Sequence, residues 1–307
     1  MKKLYLKKII SIIVFIIIIV IIGYYLKSNW TFFEDLKITS RGSLIGLILT
    51  AWFSIYLTAL FFAESLLPFR IKLCFKEYFG LTMITLMGNY LLPFSGIGVR
   101  AVYMKNVYKF SYRNFFTTVL ANWITNFLIY SLAGLLALFF YYQATGQINW
   151  PLLIIFGAVT IFSALTFINF NFKPKNKIIQ KIYDPIKLWQ EYLKNRAVLE
   201  RLLVLTFWQF IATVLSFYFG YLSFGYEITF LGSILPTTLS VYSSVIRLVP
   251  ASLGFYEFAV TYPSTVLGLL PAQGLAVSFL TRTVNFIWIF ALGLYYSYVL
   301  NRLKIKS

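Results

Sequence analysis

Apolar residues run through this chain in long blocks, not in alternation. The blocks are 9–26, 43–63, 78–92, 114–142, 150–170, 202–222, 228–249, 256–270 and 272–300. Runs of about 18 or more apolar residues are long enough to cross a hydrocarbon core of roughly 30 Å. They recur from end to end and leave no stretch for a sizeable soluble domain. The pattern predicts an all-α polytopic membrane protein. Its first block follows the basic start MKKLYLKK and lacks a small-residue cleavage site, so it reads as a retained helix rather than a signal peptide.

Two places break the pattern with the same frame. In LLPFSGIGVRAVY (91–103), Pro93 is followed by Ser95, Gly96, Gly98 and the cation Arg100. In LVPASLGFYEFAV (248–260), Pro250 is followed by Ser252, Gly254 and the carboxylate Glu257. Such irregular backbone survives at membrane depth only where protein or a wet cavity satisfies its polar groups.

Charge orients the blocks. Between Lys173 and Arg201 stand eight Lys or Arg against Asp184, Glu191 and Glu200. Lys and Arg collect in cytoplasmic loops, and the helical spacing of apolar residues here suggests a helix lying on the inner surface. Counting crossings backward puts the basic segments 100–113 and 64–77 on the same side. Block 78–92 therefore dips into the membrane and returns. In the second half, 228–270 starts and ends outside, either as a broken re-entrant pair or as two crossings. The favoured arrangement has about six full transmembrane helices and two broken segments in two inverted repeats, a plan found in transporters. The repeats are 43–142 and 202–300, joined by a cytoplasmic basic linker at 171–201. Both termini are expected in the cytoplasm of a cell whose plasma (or inner) membrane holds the protein.

Composition narrows the chemistry. The 307 residues are 60% hydrophobic, carry a formal charge of +18, and include no histidine and one cysteine, Cys74. Zinc sites, disulfides and histidine-based proton transfer are therefore not expected, nor is any metal or cofactor. The basic excess fits positive-inside loops and anionic lipid headgroups rather than nucleic acid. Ionised groups inside hydrocarbon cost roughly 2.5–3.5 kcal/mol on insertion scales and usually face a cavity or a partner. Four such groups are Arg100, Arg247, Glu257 and Arg282. Glu257 can pair with Arg282 or Arg247, but one carboxylate cannot neutralise three cations. A phosphodiester headgroup would serve, since guanidinium offers two parallel donors to phosphate and restarting helices present positive N-termini. Asn122, Thr125 and Asn126, and likewise Ser278, Arg282 and Asn285, form polar stripes that line a wet interior or bond between helices.

The stretches GNYLLPFSGIGVRAVYM and RLVPASLGFYEFAV, with FLTRTVNF downstream, resemble the lysylphosphatidylglycerol synthase transmembrane-region family across essentially the whole chain. The first family motif is matched by Asn89, Leu92-Pro93, Gly96, Gly98 and Arg100. The second is matched by Pro250, Ser252, Gly254, Glu257 and Arg282. The resemblance implies a flippase-like, lipid-handling membrane domain, often paired with a separate lipid-modifying enzyme. Gly98-Val99 stand where the family often has an acidic residue, and LANWITN lacks an arginine the family often carries. Both departures weaken the implication of a cationic aminoacyl lipid as substrate, and neither a synthase domain nor synthase activity is expected from these residues.

The expected task is translocating or presenting an anionic phospho- or isoprenoid-linked headgroup, with the membrane lipid as partner. The alternative is a non-transporting scaffold for a lipid-modifying enzyme or glycosyltransferase. An enzyme using Glu257 as general base lacks a second catalytic group, and no activity of that kind is expected. Cysteine labelling from outside, on a Cys74-free background, should leave positions Lys177 and Lys304 unlabelled. Strong external labelling at either would end the inverted-repeat arrangement.

Overall fold

The computed structural model describes residues 36–168, 186–190, 192–244 and 249–304, with isolated positions between 20 and 28. In order, these form α1 (Arg41–Ser65), a 3₁₀ turn (Leu67–Phe69), α2 (Phe75–Leu91), α3 (Ser95–Tyr108), α4 (Tyr112–Thr145) and α5 (Trp150–Leu165). Then come α6 (Arg196–Ser223), α7 (Phe230–Ser243), a second 3₁₀ turn (Pro250–Ser252), α8 (Phe255–Val266) and α9 (Pro271–Lys304). Helices α1, α4, α6 and α9 are long and apolar enough to cross a membrane, and α5 is a shorter apolar helix. The architecture is all-α and polytopic, as the blocks of apolar sequence require when backbone groups must be satisfied within each segment. The first predicted segment, 9–26, lies almost wholly outside the described residues, as does Arg247.

The described residues cluster into two compact units: those within Met1–Trp52, Met83–Ile97 and Thr213–Tyr295 in the first, and those within Phe53–Thr82, Gly98–Ala212 and Tyr296–Ser307 in the second. In the second unit, α4 starts at Ser111, whose hydroxyl accepts from the Asn114 N–H, and stops at Gly146 with φ +69°. Asn149 caps α5 through the Leu152 N–H. The two helices lie close because Gly134 faces the Phe156 ring. Across the α4–α6 contact, Tyr130 meets Phe210 edge-on at 5.1 Å.

The described part of the linker differs from a helix resting on the membrane surface. Trp189 and Tyr192 are buried against Phe61 of α1, Ala121 and Ile124 of α4, and Leu202 of α6. The Tyr192 hydroxyl donates to the Ser65 carbonyl at 3.0 Å. Burial pushes its phenol pKa upward, with the Glu64 carboxylate adding to the effect. Aromatic side chains three residues apart form an apolar face, and here that face finds a groove in the protein instead of lipid. Lys187, Lys194 and Arg196 are left exposed. The nearby ion pair of Arg201 with Glu64, at 3.3 Å, is largely solvated and contributes little.

In the first unit, α1 and α9 meet through Leu47, Ala51 and Val284. The Trp288 indole N–H donates to the Ile48 carbonyl at 3.2 Å. Polar contacts join α1 to α6, with the Ser216 hydroxyl donating to Thr50 at 3.0 Å.

The two predicted breaks are helical hairpins. Helices α7 and α8 have 14 and 12 residues, so at about 1.5 Å per residue they rise roughly 21 and 18 Å, short of a core of about 30 Å. They pack against one another as a hairpin of two short helices. Helices α2 and α3, of 17 and 14 residues, double back in the same way. At their open end, Glu77 accepts hydrogen bonds from the hydroxyls of Tyr108 and, at 3.5 Å, Tyr103. At the tip, Gly88 of α2 touches Gly96 of α3.

That tip leaves no room for a methyl group. A Cβ on Gly96 would sit 1.8 Å from the Thr85 carbonyl oxygen, whereas a Cβ on Gly98 would meet nothing within 4 Å. Gly96→Ala is therefore expected to destabilise the purified protein by about 3 kcal/mol, at the upper end of overpacking costs. Gly98→Ala should lie near wild type in the same thermal unfolding measurement.

Candidate functional site

The first hairpin satisfies its turn with neutral groups. The chain leaves α2 through Pro93 and Phe94, the latter at φ +61°. Such a left-handed conformation costs a non-glycine residue about 1–2 kcal/mol. The Ser95 hydroxyl returns the cost locally by donating to the Gly88 and Leu92 carbonyls at 2.6 and 3.0 Å. The Asn89 side-chain oxygen accepts from the Gly96 N–H at 3.2 Å, capping α3. Asn89, Pro93 and Gly96 thus build the turn itself. Arg100, further along α3 in the second unit, holds its guanidinium 4.2 Å over the Phe62 ring, a cation–π contact.

The second hairpin satisfies its turn with charge. Ala251 and Ser252 both have positive φ, +54° and +52°, and Gly254 follows at +80°. Three left-handed residues within four positions need external support. Glu257 supplies part of it: its Oε2 accepts from the Gly254 N–H at 2.5 Å, closing the first turn of α8. Arg282 of α9 supplies the rest. Its Nη1 donates to the Ala251 carbonyl at 3.1 Å, and its Nη2 lies 2.9 Å from Glu257 Oε1. The guanidinium also stacks 4.7 Å over the Tyr256 ring, whose hydroxyl shares a 2.9 Å hydrogen bond with Thr281.

The pair is almost dry. Glu257 is 3% exposed, and the Arg282 side chain is 14% exposed. Burying an unpaired charge is prohibitive, and mutual attraction offsets that only with good geometry and further hydrogen bonds. The geometry is incomplete. Glu257 Oε1, Arg282 Nε and Thr261 Oγ1 are buried without a hydrogen-bond partner among the described residues. Oε1 therefore sits in an ion contact without an aligned hydrogen bond. Thr261 lies one turn beyond Glu257 on α8, on the same face.

Of the residues singled out from sequence, Glu257, Arg282, Pro250, Ser252 and Gly254 come together in the first unit. Asn285 lies near them on α9, but its amide bonds back to the Thr281 carbonyl at 2.9 Å. Asn122 does the same kind of work in the second unit, accepting from Asn126 at 2.7 Å through its carbonyl. Both are hydrogen bonds back to a carbonyl one turn earlier in the same helix. Sequence reasoning missed Tyr256 and the Ala251 carbonyl as partners of Arg282, and Thr281 as the partner of Tyr256. Tyr256 could have been found from its place beside Glu257, whereas a backbone carbonyl leaves no trace in composition. Among the described residues no group of three or more His, Cys, Asp or Glu gathers where it could hold a metal.

Compared with known protein families, residues 8–293 match the model of the lysylphosphatidylglycerol synthase TM region. Within these 307 residues no soluble synthase domain is detected. Neither a curated protein nor a solved structure gives a significant match.

Removing one partner of the buried pair should cost more than removing both. Arg282→Ala alone is expected to lower stability by about 3–5 kcal/mol, because it strands the Glu257 charge. Adding Glu257→Gln to that variant should recover much of the loss. A double-mutant cycle by thermal or denaturant unfolding reads the coupling, and a coupling near zero would show that the contact is incidental.

Proposed function

The chain belongs to the lysylphosphatidylglycerol synthase TM region family, and from that premise we propose that it carries the phosphate-bearing headgroup of a membrane lipid between leaflets. Membership makes it a membrane protein of lipid-related function. The finer reading rests on one observation: the guanidinium of Arg282 is held at a turn of positive-φ residues and faces a single carboxylate. A phosphate oxygen pair would take the position of Glu257 Oε1 and add the second, aligned hydrogen bond that the carboxylate does not make.

The order of elements supports the same reading. A long helix, a broken hairpin and a long helix appear as α1 to α4 and again as α6 to α9. With one crossing each for α1, α4, α5, α6 and α9, and none for either hairpin, α6 enters from the side opposite to α1. Inverted repeats with discontinuous helices are a recurrent transporter plan. The substrate is an anionic phospholipid or an isoprenoid-linked phosphate, and the reading assigns the protein no chemical step of its own.

The scaffold reading is favoured by a different observation. The linker turns its aromatic face into the protein and exposes Lys187, Lys194 and Arg196. Such a basic edge suits an acidic face on a lipid-modifying enzyme or glycosyltransferase.

Reconstitution separates the two. Wild-type protein in phosphatidylcholine vesicles with trace fluorescent phosphatidylglycerol should expose inner-leaflet label to an external quencher far faster than protein-free vesicles. Arg282→Lys should slow this by about tenfold or more, the worth of one charge-assisted hydrogen bond. Arg100→Lys is expected to act in the same direction. A wild-type protein that moves no phosphatidylglycerol and no isoprenoid phosphate, yet still binds a partner enzyme, would replace the flippase reading with the scaffold.

A further inference from the structure

The ion pair has a charge balance that a lipid phosphate would upset. In the structure Glu257 and Arg282 sum to zero at a nearly dry site. A phosphate monoanion entering beside Arg282 would leave two anions against one cation at membrane depth. One added proton restores neutrality. We propose that Glu257 takes up one proton for each lipid phosphate bound at Arg282, so that lipid movement is coupled to proton movement in the same direction. This rests on the lipid-moving reading above and adds its driving force.

The atoms are arranged for that exchange. Glu257 uses its two oxygens differently: Oε2 caps α8 through the Gly254 N–H, while Oε1 makes only the ion contact with Arg282. A proton on Oε1 cancels the charge and leaves the cap in place. The new O–H has an acceptor one turn along the same face, Thr261 Oγ1, which has no partner among the described residues. Arg282 is likewise divided. Its Nη1 stays on the Ala251 carbonyl, and the edge formed by Nε and Nη2 is the one that opens. That edge is a two-donor fork of the kind that grips phosphate. Loading thus moves one proton from water on one side to Glu257 Oε1, breaks the Glu257–Arg282 contact and forms two N–H to phosphate bonds. Release reverses each step, and the proton leaves to the far side with the lipid.

Among the described residues, the titratable groups facing Glu257 are Arg282 of α9, Tyr90 of α2 and Tyr256 of α8 itself. Arg282 is the single cation among them. A buried carboxylate whose counter-ion turns to another anion takes up a proton rather than remain charged. Differential affinity of this kind is what couples two ligands thermodynamically.

The test uses the full chain in phosphatidylcholine vesicles carrying trace fluorescent phosphatidylglycerol, with a pH gradient of one unit and the membrane potential clamped to zero. One proton per lipid predicts about tenfold enrichment of label in the leaflet facing the alkaline side at equilibrium, the free energy of one pH unit. Protein-free vesicles set the background. Glu257→Gln should reduce the enrichment to that background, while Glu257→Asp, which keeps a protonatable group, should preserve it at a lower rate. Entrapped pyranine should report proton entry when label moves inward. Label that equilibrates quickly but evenly, whatever the gradient, would overturn the coupling and leave the flippase reading intact. Enrichment that persists in Glu257→Gln would overturn it as well. If wild-type protein moves no label at all, both readings fall together.

Discussion

A chain that turns back inside hydrocarbon releases backbone N–H and C=O groups with no water to receive them, and each must find a partner in the protein itself. Both hairpins of this molecule answer that constraint at their tips. The first answers with a serine hydroxyl, an asparagine amide and the absence of a side chain at Gly96. The second answers with Glu257 on the Gly254 N–H and Arg282 on the Ala251 carbonyl. The difference is between neutral groups, which need nothing further once bonded, and charged groups, which also need each other.

That difference gives the two tips different mechanical characters. Gly88 against Gly96 is a backbone contact, and the Glu77 clasp with Tyr103 and Tyr108 fastens the open end of the same hairpin. No side-chain rotation releases it. The second tip has three left-handed residues in a row of four, restrained by side chains rather than by backbone contact. Stored strain and a removable restraint are what a two-state element requires. One arginine thus bonds the turn backbone and pairs with the carboxylate that caps α8.

The linker shows the same economy outside the hydrocarbon. Trp189 and Tyr192 fill a groove between α1, α4 and α6, with the Tyr192 hydroxyl on the last turn of α1. Their burial fixes which way the basic residues of that segment face.

The sequence by itself determined what depends on one-dimensional pattern. Apolar blocks long enough to span set the all-α polytopic class, and the Pro-Ser-Gly frames at Pro93 and Pro250 located both breaks, because proline and glycine act on the backbone where they stand. The intramembrane charges Glu257 and Arg282 were legible as exceptions to the surrounding hydrocarbon. Only the tertiary structure decided which charges pair, that α7 and α8 pack as a hairpin of short helices, and that the Ala251 carbonyl completes the arginine site. It also showed Asn89 capping α3 and seated Trp189 in the protein. The reason is physical: helix length and polarity are properties of a segment, whereas a salt bridge between residues 25 positions apart, or a glycine pressed on a carbonyl, exists only once separate helices have been brought to a particular distance.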